Sequence, residues 1–140
     1  MRTLALIFTF VLSSVMSHAQ TETKGQTINV TIDNVKNNNG SVIMSLHSAD
    51  TFMKTEGIQS ASSKIEGNKV IITFKNVIPG EYAIMGIHDE NDNKQMDFEL
   101  NGMPKESYGM SNNPMSFGPP QFNEAKFQVS NEDITMTIRF

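Results

Sequence analysis

Residues 26–33 read QTINVTID, and this stretch decides the fold of the chain. Ile28, Val30 and Ile32 alternate with polar residues, so that every second side chain is apolar. Successive side chains of a β-strand point to opposite faces, and this alternation is typical of a strand that is buried on one face. The sequence therefore predicts a β-strand that presents one face to a hydrophobic core.

Further strand-like stretches follow this first one. Turn-forming residues separate them, among them NNNG at 37–40 and Pro79-Gly80, which suits a type II turn with positive φ at the glycine. The predicted strands cover residues 42–47, 59–64, 69–74, 82–86, 125–129 and 134–140. We therefore predict an all-β fold, namely an antiparallel β-sandwich of about seven strands, immunoglobulin-like or prealbumin-like.

Residues 1–19 predict a cleavable signal peptide. Arg2 precedes an uncharged apolar run at residues 4–12, and Ser17 and Ala19 are the small residues expected before a cleavage site. The apolar run is shorter than the roughly 20 residues that a membrane-spanning helix needs. We therefore expect residues 20–140 to form a single periplasmic or secreted domain that does not insert into the membrane.

Composition excludes several classes of protein. The chain has no cysteine, which rules out a lipoprotein, disulfides, thiolate metal sites and cysteine nucleophiles. Its formal charge is −4, and because Arg2 is the only charged residue before residue 20, the processed chain is one unit more negative. An acidic surface without basic clusters argues against nucleic acid as a partner.

Several segments together resemble a known family. These are FKNVIPGEY at 74–82, HDENDN at 88–93, GMPKESYGMSNN at 102–113 and FGPPQFNEAKF at 117–127. They resemble the uncharacterised family of small secreted bacterial proteins known as domain of unknown function 2141, and the first segment also resembles a turn of prealbumin-like sandwiches. The resemblance implies a sandwich and export but no activity. Two positions depart from the family pattern: Lys94 and Gln95 follow Asn93 without the usual glycine, and Met110 replaces an aromatic residue.

The segment from residue 89 to 99 has the spacing of a calcium-binding loop. Alternating Asx residues in a tight turn supply the oxygen ligands that hard cations require. Lys94 stands where such a loop has glycine, and Leu100 stands where it has a bidentate glutamate. The alternative is a solvated acidic turn that needs no ion. The candidate ligands are Asp89, Asn91, Asn93, the carbonyl of Gln95, Asp97 and, in a shortened loop, Glu99.

Methionine and histidine suggest copper as a second candidate ion. Met44 and His47 share their spacing with Met85 and His88, and thioether and imidazole ligands suit copper in an exported protein. However, residues three apart on a strand point to opposite faces, so neither pair converges without a bulge.

A long loop rich in glycine, proline and aromatic residues runs from His88 to about Pro120. Loops of this length are usually functional, and aromatic and amide side chains suit contact with carbohydrate or with an extracytoplasmic protein. The alternative is that its aromatic residues cover the open end of the sandwich. The candidate ligand-binding residues are His88, Tyr108, Asn112, Asn113, Phe117 and Phe122.

No spacing in the sequence nominates a catalytic pair. The Gly-x-Ser-x-Gly motif is absent, and only His47 and His88 remain beyond residue 19. We therefore predict a non-enzymatic binding or structural module with a calcium-ordered loop. A copper-handling protein and an enzyme or enzyme inhibitor are the alternatives.

Overall fold

The computed structural model describes residues 24–140, which form eight strands and one short helix. The predicted signal peptide lies outside the described residues. Within residues 24–140, no helix has the length and apolar character needed to cross a membrane. The elements are β1 Gln26–Ile32, β2 Ser41–His47, β3 Gln59–Lys64, β4 Val70–Val77, β5 Gly80–Asp89, β6 Tyr108–Met110, α1 Phe122–Ala125, β7 Phe127–Val129 and β8 Ile134–Thr137.

Two sheets contain these strands. The first has the order β4-β1-β8, and the second has the order β3-β2-β5-β6. Strand β5 has 10 residues, and this length lets its first residues pair with β7 while Met85, Gly86 and Ile87 pair with β6. The predicted all-β sandwich is confirmed.

The hydrophobic core lies between the inner faces of the two sheets. Ile28, Val30 and Ile32 are fully buried, as their alternation predicts. Met44 and Leu46 of β2 are buried with them in the same cluster, and Phe140 packs against it. The chain has no disulfide, so this apolar burial is the main source of its stability.

Three local features differ from the sequence-based predictions. Tyr108–Met110 forms a strand that was predicted as loop, because three residues including Gly109 are too few to show an alternation. Strands β1 and β8 pair parallel rather than antiparallel. Gly80 does not take the positive φ predicted for it; the left-handed residue next to this turn is Asn76, with φ +60°.

Candidate functional site

The loop after β5 is built on the carboxylate of Asp89. Asp89 is fully buried, and its Oδ1 accepts the N–H of Asn93 at 3.1 Å while its Oδ2 accepts the N–H of Lys94 at 2.7 Å. A buried carboxylate needs such partners, because an unpaired charge is costly away from water. The two hydrogen bonds to the Asp89 carboxylate therefore hold the following five residues in a tight turn.

Two asparagines continue the turn and converge on a second carboxylate. Asn91 Oδ1 accepts the N–H of Asn93 at 3.1 Å, and Asn93 Oδ1 accepts the N–H of Gln95 at 2.9 Å. The amide nitrogens of both asparagines contact Asp97, with the shortest distance, 2.7 Å, from Asn91 Nδ2 to Asp97 Oδ2. Four of the six candidate calcium ligands thus lie on one compact loop: Asp89, Asn91, Asn93 and Asp97.

Lys94 adopts the backbone conformation that a glycine would have at this point of a calcium loop. Its φ is +63°, and Asp92 two residues earlier has φ +56°. The left-handed region costs a residue with a Cβ about 1–2 kcal/mol. The hydrogen bond from the Lys94 N–H to Asp89 is the contact in this structure that offsets the cost.

The other two predicted ligands are placed differently. Gln95 is exposed and takes part in the turn through its backbone N–H. Glu99 lies in a separate small hairpin that is closed by an isolated bridge between Phe98 and Pro104, and its N–H donates to the Met103 carbonyl at 2.7 Å.

Glu106 closes the loop, although the calcium spacing did not include it. It is 7% exposed, and its carboxylate accepts the N–H of Glu90 at 3.0 Å and the N–H of Asp97 at 3.2 Å. Within residues 24–140, no group of three or more histidine, aspartate or glutamate side chains is placed to hold a metal ion. The loop therefore depends on amide and carbonyl oxygens as well as carboxylates for any ion that it takes up.

Asp92 ties the loop to the start of β2 and the end of β3. Its Oδ1 accepts the Ser41 hydroxyl at 2.7 Å, and its Oδ2 lies 2.8 Å from Lys64 Nζ. The Lys64 ammonium group, followed by the Ser41 hydroxyl, lowers the pKa of Asp92 from its ordinary value. Beside this contact, Gly40 has φ +65° and lies against the Asp89 carbonyl.

The two histidines lie on opposite faces of the second sheet. His88 pairs with Val42 on the inner face, is fully buried, and its Nε2 lies 2.8 Å from the Asn39 carbonyl, so this nitrogen is the donor. His47 lies on the outer face, where burial lowers the pKa of its imidazole and Thr51 Oγ1 is 3.2 Å from Nδ1. The structure therefore does not bring the two histidines together on one ion.

Most of the predicted ligand-binding residues make contacts within the protein. The Asn112 amide donates to the carbonyls of Glu124 and Lys126, and Asn113 bonds the backbone of Thr137 and Arg139. Phe122 packs edge-on against Phe52 at 5.8 Å between ring centroids, and His88 is interior. Of the six predicted residues, Tyr108 and Phe117 are the two whose aromatic rings are exposed.

An open groove of about 940 Å³ crosses the outer face of the second sheet. Its floor has the row Ser62-Ile43-Ile87 and the row Ser60-Ser45-Met85, as the strand register places them. Phe52, Ala83, Met110 and Ala125 form a second buried cluster on the same sheet. The sequence indicates this groove through the face of β2 that points away from the core. On that face Ile43, Ser45 and His47 alternate with the core residues, and one of the three is apolar.

The chain matches a known family of bacterial proteins. A family model described as "uncharacterized protein conserved in bacteria", domain of unknown function 2141, matches residues 30–137. No curated protein and no solved structure matches the chain.

Proposed function

Since the chain belongs to the bacterial family of domain of unknown function 2141, whose description names no activity, we propose its function from the geometry of its site. We propose that it is an exported, non-enzymatic binding module whose functional face is the region from His88 to Pro120. In this proposal the loop from Asp89 to Asp97 takes up calcium, and the bound ion fixes that face.

The observation that carries this proposal is the convergence of Asn91 and Asn93 on Asp97. The side chains of these three residues meet within 2.7 to 3.1 Å, above the turn that Asp89 organises. A calcium ion needs six to eight oxygens at about 2.3–2.6 Å, so the amides would turn their oxygens inward and the Gln95 carbonyl would contribute. Two carboxylates and neutral oxygens favour an affinity at the weak, extracellular end of the range.

The small hairpin beyond the loop gives this ion a role. Phe98 and Met103 are 57% and 61% exposed, and Leu100 at the tip is fully exposed. Exposed apolar side chains grouped on one projection are typical of contact sites for other proteins. Because Asp97 belongs both to the loop and to the base of the hairpin, an ion bound at Asp97 would fix the position of these three side chains.

The alternative functions have less support. Copper would need thioether and imidazole ligands together, whereas His47 and His88 lie on opposite faces of one sheet. The nearly buried carboxylate of Glu106 accepts two backbone N–H groups, and none of its hydrogen bonds within residues 24–140 comes from the side chain of a second acid, as glycoside hydrolysis would require.

Calcium titration of the purified protein tests the proposal. We expect calcium, but not an equal concentration of magnesium, to raise the melting temperature, because an ion that binds only the folded state stabilises it. Asp97→Asn keeps the size of the side chain and removes its charge, and it should abolish most of the gain. Asp50→Asn removes a charge from an exposed turn and should leave the gain unchanged.

A second variant makes the test decisive. Lys94→Gly removes a positive charge from the loop, and glycine adopts φ +63° without strain, so this variant should bind calcium more tightly than the native loop. A melting temperature that calcium leaves unchanged in both the native protein and Lys94→Gly would overturn the calcium assignment.

A further inference from the structure

We infer that β3 is a docking edge for an extended peptide segment of another protein, which would add to the second sheet as a further strand. This surface differs from the proposed calcium loop and does not depend on it. The inference rests on three properties of β3: the direction of its backbone groups, the absence of blocking residues, and the contrast with the opposite side of the sandwich.

The direction of the backbone groups follows from their alternation along a strand, in which successive residues point their N–H and C=O groups to opposite sides. The Leu46 carbonyl points toward β3, because it accepts the N–H of Ile58 at 2.7 Å. Leu46 pairs with Gln59, so that Ile58 and Gln59 together face Leu46, as in a β-bulge at the start of β3. Gln59 therefore points its backbone groups toward β2. Backbone groups alternate in direction along a strand, and therefore those of Ser60 and Ser62 point away from β2.

The directions of the backbone groups in the neighbouring strands of the sheet are consistent with this assignment. Ile84 pairs with Leu46, and the Ile84 carbonyl points the other way, toward Ser111, whose N–H it accepts at 2.9 Å. His88, four residues later in β5, also directs its N–H to that side, toward Ser107. The outward direction of Ser60 and Ser62 is thus consistent across three strands.

These outward groups have no partner within the part of the chain that the structure describes. Strand β3 pairs with β2 alone, and no hydrogen bond reaches the backbone of Ser60 or Ser62 from elsewhere in residues 24–140. An edge strand with unpaired N–H and C=O groups is a template for pairing with another chain.

Natural edge strands are usually protected, but residues 60–63 of β3, beyond the bulge at Ile58 and Gln59, are not. Proline, inward-facing charges and bulges commonly block pairing at such edges. The sequence of β3 is QSASSK, without proline, and its one charge, on Lys64, is held by Asp92 at the end of the strand. Ser60 and Ser62 are small and exposed, so they leave room for a neighbouring strand.

On the opposite side of the sandwich, the ends of the two sheets are in close contact, in contrast to the β3 side. There Gly109 lies against the Arg139 carbonyl so closely that a Cβ on the glycine would come within 2.1 Å of that oxygen. The Asn113 side chain also links Thr137 and Arg139 to this side. On the β3 side, one side-chain hydrogen bond among residues 24–140, from Gln59 Nε2 to the Lys75 carbonyl, joins the two sheets.

The groove defines the chemistry of the peptide. A strand added to β3 places every second side chain on the outer face, about 4.8 Å from the serine row. Ser62 pairs with Ile43 on the groove floor, and Ser60 pairs with Ser45. A long apolar side chain can lean over these small serines toward Ile43, whereas a short polar one cannot reach it. The partner is therefore an extended segment with large apolar residues at alternate positions.

A phage-displayed library of linear peptides of about ten residues tests this inference, since a strand of common length fits within it. Ser62→Pro removes an N–H that points to the free edge and spares the hydrogen bonds to β2. Ser62→Ala is the matched control. We expect selected peptides to bind the native protein and Ser62→Ala equally and to bind Ser62→Pro at least about tenfold more weakly, with chelation of calcium having no effect.

Amide hydrogen exchange keeps the test decisive if Ser62→Pro folds poorly. Bound peptide should protect the amides of Ser60 and Ser62 in the native protein. A library that yields no binder, or peptides that bind Ser62→Pro equally well and protect amides elsewhere, would overturn the inference. A native dimer that Ser62→Pro converts to a monomer would also overturn it, because the edge would then belong to a second copy of the chain.

Discussion

Glu106 holds the backbone of Asp97 in place: its Oε2 accepts the Asp97 N–H at 3.2 Å while its Oε1 accepts the Glu90 N–H at 3.0 Å. One nearly buried carboxylate thus joins the beginning and the end of the candidate calcium loop. It belongs to the segment just before β6, so it also connects the loop to the second sheet.

Glu106→Gln should destabilise the protein by about 2 kcal/mol. A backbone N–H group that stays buried without its charged acceptor has lost its hydrogen bonds to water and gains none in return. The glutamine amide offers one oxygen to two N–H donors and presents its own NH₂ group to the other. The free energy of unfolding in urea measures the effect. Glu124→Gln, on an exposed position of α1, is the control and should change it little. Equal unfolding midpoints for the two variants would contradict the closing role of Glu106.

Gly40→Ala should destabilise the protein more than Gly67→Ala. Both glycines have positive φ, at +65° and +58°, so both substitutions pay the left-handed cost of about 1–2 kcal/mol. Only at Gly40 does the new Cβ meet the backbone, 1.9 Å from the Asp89 carbonyl, whereas nothing lies within 4 Å at Gly67. We expect a further loss of at least about 1–3 kcal/mol at Gly40, as for other overpacked sites, measured by urea denaturation. Similar losses at the two sites would show that the loop shifts freely away from β2.

The strands could be predicted from the sequence, but the contacts by which Glu106 joins the two ends of the candidate calcium loop could not. Ile28, Val30 and Ile32 each face the core because a period of two is a local property of the chain. The role of Glu106 depends on bringing residues 90, 97 and 106 together, which no local spacing records. The parallel pairing of β1 with β8 joins segments more than one hundred residues apart, and it too follows from the folded topology alone.

The asparagines of the long loop show the same limit. Asn112 and Asn113 were predicted as ligand-binding residues because amides on a loop are common ligand contacts. In the structure they bond the backbone near α1 and β8, and both have positive φ, at +67° and +47°. The sequence gives the residue type and its tolerance for a left-handed backbone, but the partner of each amide is set by distant strands.

Lys64→Met should raise the pKa of Asp92 toward its ordinary value. The Lys64 ammonium group is the main cause of the lowered pKa, and the Ser41 hydroxyl should retain part of the effect. A lowered carboxyl pKa stabilises the folded state above the ordinary value of 3.8, and this contribution is lost as the pH falls through the lowered pKa.

Carboxyl carbon NMR shifts recorded from pH 2 to 6, a range on both sides of the ordinary pKa of aspartate, follow this titration directly. Lys126→Met, which removes the separate ion pair with Glu81, is the control and should leave Asp92 unchanged. Added salt should shrink the difference between the native protein and Lys64→Met, because both partners are largely exposed. An Asp92 titration that is identical in both proteins would contradict the contact.

His47 should make the protein less stable as the pH falls below about 6.5, the ordinary pKa of histidine. Burial on the outer face of β2 disfavours the imidazolium ion and lowers the pKa of His47, and the Thr51 contact opposes this only in part. The unfolded chain then binds a proton in a pH range where the folded chain does not, so stability is full above the ordinary pKa and is lost as the pH drops toward the lowered one. Phe52, whose ring packs edge-on at 5.8 Å, contributes no compensating charge.

His47→Gln retains a hydrogen-bonding group but cannot titrate. Its free energy of unfolding, measured by urea denaturation between pH 5 and 8, the range around the pKa of histidine, should therefore change less with pH than that of the native protein. His88 is present in both proteins, and the difference between the two profiles therefore isolates His47; parallel profiles would show that the imidazole is not held neutral in this position.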